Sequence, residues 1–112
     1  MKRIPVVALL SAISIASGCA PTEQQYAVIQ ETVRGSEKAR QMAISQCLGQ
    51  GWNRQAVRNA SIVLNTSEKA APGLACRRFV DAIRSGRMTY ADAVAFKRNR
   101  PTPELIRIFQ GR

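Results

Sequence analysis

The 112-residue chain contains no histidine and only seven acidic residues. Histidine is the commonest general base and a frequent metal ligand, so most acid–base and metal-dependent sites lack their usual side chain here. The carboxylates stand at positions 23, 31, 37, 68, 81, 92 and 104, and no spacing pairs two of them on one helical face. The sequence has no glycine-rich phosphate loop, zinc-binding spacing or nucleophile elbow. It therefore predicts a protein that is not an enzyme.

A long hydrophobic run is also lacking. The most apolar stretch, Ile4 to Ala16, comprises 13 uncharged positions and includes Pro5 and two serines. A helix that crosses a bilayer needs roughly 20 apolar residues, so this stretch is too short for a permanent anchor. Lys2 and Arg3 precede it and small residues follow it, which is the order of an export signal.

The residues after this stretch resemble the lipobox of bacterial lipoproteins. A lipobox usually reads Leu, then Ala or Ser, then Gly or Ala, then Cys; the chain has Ala16-Ser17-Gly18-Cys19, with Ala16 where leucine is commonest. The resemblance implies that Cys19 carries a diacylglyceryl group, that a peptidase cuts before it, and that the new amino terminus is acylated, for example with palmitate. Two or three acyl chains make a durable anchor, because each buried methylene contributes about 0.8 kcal/mol. Cys19 is thus the predicted lipidation site, and no cofactor besides the covalent lipid is expected.

An ordinary secretory signal, with Cys19 incidental, is the alternative. A cut after Ala20 would place Pro21 directly beyond the cleaved bond, a position that ordinary signal peptidase tolerates poorly. The lipidated form divides the chain into a signal peptide (1–18), a lipidated tether (19–25) and a single helical domain (26–112). It places the protein in the bacterial cell envelope. Enteric lipoproteins held at the inner membrane tend to have aspartate after the cysteine, so Ala20 favours the outer membrane, facing the periplasm.

Cys47 and Cys76 are the two cysteines left for the folded domain. Export favours a disulfide, and with Cys19 committed to lipid only this pairing is possible. A closed loop of about 30 residues stabilises a chain by roughly 3 to 4 kcal/mol in the chain-entropy model. Two free thiols or a redox pair are the alternatives, but the spacing is not Cys-x-x-Cys and no histidine is present to activate a thiolate.

The mature sequence shows helical periodicity and no convincing strand. Helices are predicted over 26–48 and 54–64, from Pro72 until Gly86 ends the helix, from Tyr90 to Arg100 with Pro101 as the stop, and from Pro103 until just before Gly111. Three polar residues are predicted to cap helix starts: Asn53, Thr89 and Thr102. A strand at 61–65 is an alternative without a partner strand. We expect an all-α fold, a small bundle of four to five short helices stapled by one disulfide that joins the first helix to the third.

Positive charge is concentrated in the second half of the chain. The mature part has 15 basic and 7 acidic residues, of which 10 and 3 lie between Lys69 and Arg112. Export excludes nucleic acid and leaves anionic phospholipid, envelope polymers or an acidic protein as partners. We call the predicted binding residues the basic face: Arg77, Arg78, Arg84, Arg87, Lys97, Arg98 and Arg100. A solvated surface that only maintains solubility is the alternative.

The acidic residues of this half have structural explanations. Asp81 has arginines three or four residues away on both sides, which predicts an exposed ion-pair network worth a few tenths of a kcal/mol per pair. Asp92 and Glu104 stand in first helical turns, where a carboxylate complements the helix dipole.

The sequence thus predicts a non-enzymatic lipoprotein, held on the membrane through Cys19, that serves as accessory or adaptor to another envelope component. Direct binding of anionic phospholipid or cell-wall polymer by the basic face is the second hypothesis. A small hydrolase or lysis factor is a third.

Overall fold

The computed structural model describes residues 21–112; the predicted signal peptide and Cys19 lie outside the described residues. This part of the chain forms six α-helices and no strand. We number the helices α1 to α6, with bounds Glu23–Gly35, Glu37–Leu48, Arg54–Leu64, Ala71–Ser85, Tyr90–Lys97 and Pro103–Phe109. The predicted all-α bundle with one disulfide is confirmed.

The first predicted helix, 26–48, is in fact two helices. Ser36 has an extended backbone, with φ −144° and ψ 119°, which ends α1 at Gly35. The Ser36 hydroxyl accepts a hydrogen bond from the Ala39 amide at 3.1 Å and so caps α2. Glycine followed by serine and glutamate is a stop and start signal that the prediction overlooked, because the apolar spacing continues across it. The split gives six helices instead of the expected four or five.

Helix α1 also begins three residues earlier than predicted, inside the segment assigned to the tether. The Thr22 hydroxyl accepts from the Gln25 amide at 3.1 Å, and the Gln25 side chain accepts from the Thr22 amide at 2.8 Å. These two bonds form a capping box. Just before it, the Pro21 carbonyl accepts a 2.8 Å hydrogen bond from the Tyr90 hydroxyl of α5. The folded part therefore reaches back to Pro21.

Helix α4 is central to the bundle, since α1, α2, α3 and α6 all pack against it. Its apolar face supplies six buried residues, Ala71, Ala75, Cys76, Val80, Ala82 and Ile83. The main core cluster combines two of these with residues from α1, from α6 and from the loop after α4: Tyr26, Val33, Ala82, Ile83, Met88, Leu105 and Ile108. The core thus lies between α1, α4 and α6, and α2 is at its edge.

The disulfide links α2 to α4. Helix α2 is the second half of the predicted first helix and α4 is the predicted third helix, so the predicted link between these two helices is confirmed. The Cα atoms of Cys47 and Cys76 are 5.8 Å apart. Cys76 is fully buried, and Cys47 is half-buried. No side chain of α2 is fully buried. The bridge therefore fastens to the core a helix that has little apolar burial of its own.

Asp92 ties the start of α5 to the start of α6. Its carboxylate accepts from the Thr89 amide at 3.1 Å, which completes the predicted capping box, and from the Thr102 hydroxyl at 2.8 Å. Thr102 in turn caps α6 by accepting from the Leu105 amide. Burial raises the pKa of Asp92, but the hydrogen bonds from Thr89 and Thr102 outweigh burial, so the pKa lies below its ordinary value. One carboxylate thus holds two helix N-termini in place.

Candidate functional site

The seven residues of the basic face do not form one uniform surface. Around Asp81 the predicted ion-pair network reduces to a single pair, in which Arg84 Nη2 lies 2.6 Å from Asp81 Oδ1. Arg78, one turn earlier, instead donates to the Phe109 carbonyl at the end of α6. Arg78 and Arg84 are therefore engaged within the fold.

Arg87 is engaged as well. Its Nε lies 2.7 Å from Glu104 Oε2, and Arg107 Nε lies 3.2 Å from the other oxygen of the same carboxylate. The hydrogen bonds from Arg87 and Arg107 lower the pKa of Glu104 below its ordinary value. This pair joins the loop after α4 to α6, so Arg87 has a structural partner for its charge.

Three cations of the basic face stand together at the end of α5. Lys97, Arg98 and Arg100 are all exposed. None of them, nor Arg77, forms an ion pair with another residue of the described chain. We call these three residues and the adjacent Phe96 the basic corner.

The backbone that presents the basic corner is a Schellman motif. Asn99 is left-handed, with φ 56°, and its amide donates to the Phe96 carbonyl at 3.1 Å. The Arg100 amide donates to the Ala95 carbonyl at 2.8 Å, which closes the wider loop of the motif. Cations at a helix C-terminus also interact favourably with its dipole. The local sequence therefore concentrates positive charge at one rigid turn.

Phe96 brings an exposed apolar surface to the basic corner. It is 43% exposed, and its ring packs at centroid distances of 5.2 Å from Phe79 and 5.8 Å from Phe109. Phe79 and Phe109 are half-buried, so the three rings extend the core to the surface. The result is an anchored aromatic side chain beside three cations without ion-pair partners.

Other surface features are more dispersed. Large exposed apolar side chains on α1, α2 and α3 are Val28, Ile29, Met42, Leu48 and Ile62. A groove of about 240 Å³ runs between α2 and α4, with Ile44 and Val80 among its lining residues. Its acidic residues, Glu37 and Asp81, are already paired with neighbouring arginines.

No group of three or more cysteine, aspartate or glutamate side chains in residues 21–112 is placed to hold a metal ion. In the same residues, no helix is long and apolar enough to cross a membrane.

Comparison with known protein families, with curated proteins and with solved structures finds no match.

The structure brings together only part of the predicted set. Cys47 and Cys76 form the disulfide, whereas Cys19 lies outside the described residues. The three cations of the basic corner belong to the basic face predicted from the sequence. Sequence reasoning missed the contact between Tyr90 and Pro21, for which no local pattern gives a signal, since the two residues are 69 positions apart.

Proposed function

We propose that the protein is a lipoprotein of the bacterial cell envelope, anchored through acylated Cys19 at the periplasmic face of the outer membrane. Its helical bundle, without enzymatic activity, serves as accessory or adaptor to another envelope component. The lipobox at 16–19 supports the anchor. The single observation that carries export is the disulfide between Cys47 and Cys76, because such bonds persist in the periplasm and are rare in the cytosol.

The adaptor role is supported by the exposed apolar side chains. Val28 on α1 is 65% exposed, Met42 on α2 is 55% exposed, and Ile62 on α3 is 72% exposed. Covering apolar side chains of this kind with a partner removes them from water and so favours binding. A small bundle that presents them from three helices is suited to docking on a larger component.

The anchor is tested by exchanging Cys19 and measuring the mass of the N-terminal peptide of the mature protein. In the wild type we expect this peptide to begin at Cys19 and to carry two or three acyl chains. Cys19→Ser should release the protein from the membrane fraction. Ser17→Ala is the matched control, because the lipobox accepts either residue and processing should be unchanged. An unacylated wild-type peptide would refute the anchor.

The adaptor role is tested by photo-crosslinking in cells, with the photoreactive group placed in turn at Val28, Met42 and Ile62. We expect one discrete adduct from at least one of the three positions, and its loss when Cys19→Ser removes the protein from the membrane. Only abundant bystanders at all three positions would count against an adaptor.

A second function is direct binding of an anionic surface by the domain. It is favoured by the basic corner, where Lys97, Arg98 and Arg100 have no ion-pair partner in the described chain. Near an anionic membrane each such cation contributes about 1 kcal/mol.

A further inference from the structure

We infer that the domain lies with the basic corner against the bilayer, with Phe96 at the interface and Lys97, Arg98 and Arg100 on anionic phospholipid headgroups. The inference rests on the proposed acylation of Cys19. It adds which surface of the domain meets the membrane and what that surface binds.

The first step is the shortness of the tether. Pro21 is held by the Tyr90 hydroxyl at 2.8 Å, and Thr22 already caps α1. Only Ala20 stands between Cys19 and Pro21. Consecutive Cα atoms are 3.8 Å apart, so the Cα of Cys19 lies within about 8 Å of that of Pro21. The lipid would therefore be attached close to the start of α5, and the short tether would keep the domain near the membrane surface.

The second step is the distance from this anchor to the basic corner. Helix α5 runs from Tyr90 to Lys97, eight residues, and a helix rises 1.5 Å per residue. The corner is thus about 12 Å along α5 from the residue that holds Pro21. Salt screens the electrostatic potential of the headgroups over a Debye length of about 8 to 10 Å. A modest tilt of α5 toward the membrane therefore brings the basic corner within reach of that potential.

The third step is the sign of the charge that α5 presents. Asp92, the acidic residue of α5, is 7% exposed and is occupied by hydrogen bonds from Thr89 and Thr102. The exposed charges at the end of the helix are all positive. Phe96, 43% exposed beside them, supplies the apolar side chain that interfacial segments place at the boundary of headgroups and acyl chains. Charge and apolarity together fit an anionic bilayer.

The wild-type chain carries its own reporter for this orientation. The mature protein has three lysines, Lys38, Lys69 and Lys97, and all are exposed. The mature lipoprotein is reconstituted in vesicles of phosphatidylcholine with phosphatidylglycerol, and amine acetylation is followed by mass spectrometry. We expect Lys97 to react several-fold more slowly than in detergent, with Lys38 and Lys69 unchanged. Phosphatidylcholine alone, or high salt, should restore most of the Lys97 rate. Equal effects on all three lysines would overturn the inference.

A matched pair of charge variants separates the corner from general basicity. Arg98→Gln with Arg100→Gln removes two cations of the corner and leaves Lys97 as reporter. At about 1 kcal/mol for each cation, the equilibrium should shift by roughly 30-fold away from the membrane-facing orientation. Arg54→Gln with Arg58→Gln removes two exposed charges from α3 and should leave the protection of Lys97 intact. Equal loss in both variants would contradict a specific corner.

The tether itself provides a second test that leaves the folded domain unchanged. A flexible Gly-Ser linker between Ala20 and Pro21 keeps the lipobox and the corner but lowers the effective concentration of the corner at the bilayer. The protection of Lys97 should weaken as the linker lengthens. Protection that is independent of linker length would refute the role of the short tether.

The lipid anchor and the orientation of the domain are refuted by different results. If the N-terminal peptide carries no acyl mass, the anchor and the orientation are both wrong. If the peptide is acylated but Lys97 reacts like Lys38 and Lys69, the anchor stands and only the orientation is wrong.

Discussion

Reduction of the Cys47–Cys76 disulfide provides a quantitative test of how α2 is held in the bundle. The bridge closes a loop with a sequence separation of 29 residues. In the chain-entropy model such a loop removes about 12 cal/mol/K from the unfolded chain, or about 3.6 kcal/mol at 25 °C. Small domains are stable by about 5 to 15 kcal/mol, so the loss is a large fraction of the total. We expect urea unfolding of oxidised and reduced wild-type protein to differ by about 3 to 4 kcal/mol.

The structure also predicts which helix loses protection first when the disulfide is reduced. Helix α2 has no fully buried side chain, whereas the main core cluster draws on α1, α4 and α6. Hydrogen exchange in the reduced protein should therefore accelerate in α2 before it does in α4. Ser45→Ala, on the exposed surface of α2, is the control and should leave both measurements unchanged. A stability difference below about 1 kcal/mol, with equal protection of α2 in both states, would refute the reasoning.

Three further outcomes follow from hydrogen bonds and backbone geometry. Asp92→Ala should lower the free energy of unfolding in urea by about 2 kcal/mol, because the starts of two helices each lose a hydrogen bond that supports their cap. A loss no larger than that of an exposed Ser→Ala change would contradict this. The pKa values of Asp92 and Glu104 in the fold are lower than their ordinary values of 3.8 and 4.5, respectively. Each carboxylate therefore stabilises the fold at pH values above its ordinary pKa. Stability measured by urea titration should fall as pH drops below about 4, and the fall should be smaller in Asp92→Asn. Gly86→Ala should destabilise by about 1 kcal/mol, seen as a lower melting temperature, because Gly86 has φ 82°, a left-handed conformation that strains a residue with a Cβ atom. An unchanged melting temperature would contradict it.

Local chemistry explains what could be predicted from the sequence. Asn53, Thr89 and Thr102 were expected to cap helices, and each accepts the expected backbone hydrogen bond. A cap is decided within four residues, so one sequence suffices to find it. The break at Ser36 obeys the same chemistry, but the apolar spacing continues across it and predicts one uninterrupted helix.

Contacts between distant segments were beyond the reach of the sequence. The bond from Asp92 to Thr102 depends on how α5 meets α6, and the bond from Tyr90 to Pro21 depends on how α5 meets the start of α1. Helical periodicity identifies the buried face of each helix but not the face that it meets. The disulfide was the exception, because only one pairing remained once Cys19 was assigned to lipid.

Net charge likewise does not distinguish the cations of the basic face by their surroundings. Counting charges treats Arg87 and Arg98 as equivalent, yet the structure gives Arg87 a carboxylate at 2.7 Å and leaves Arg98 exposed at a helix end. A paired cation must break its ion pair before it binds a headgroup, whereas one without an ion-pair partner gives up only hydration. Surface pairs contribute roughly 0 to 1 kcal/mol, so breaking one can offset up to the whole gain of about 1 kcal/mol from the membrane. Seven of the ten cations between Lys69 and Arg112 form no ion pair within the described residues. Three of these seven stand together at the end of α5, so membrane binding should depend most on that end of the helix.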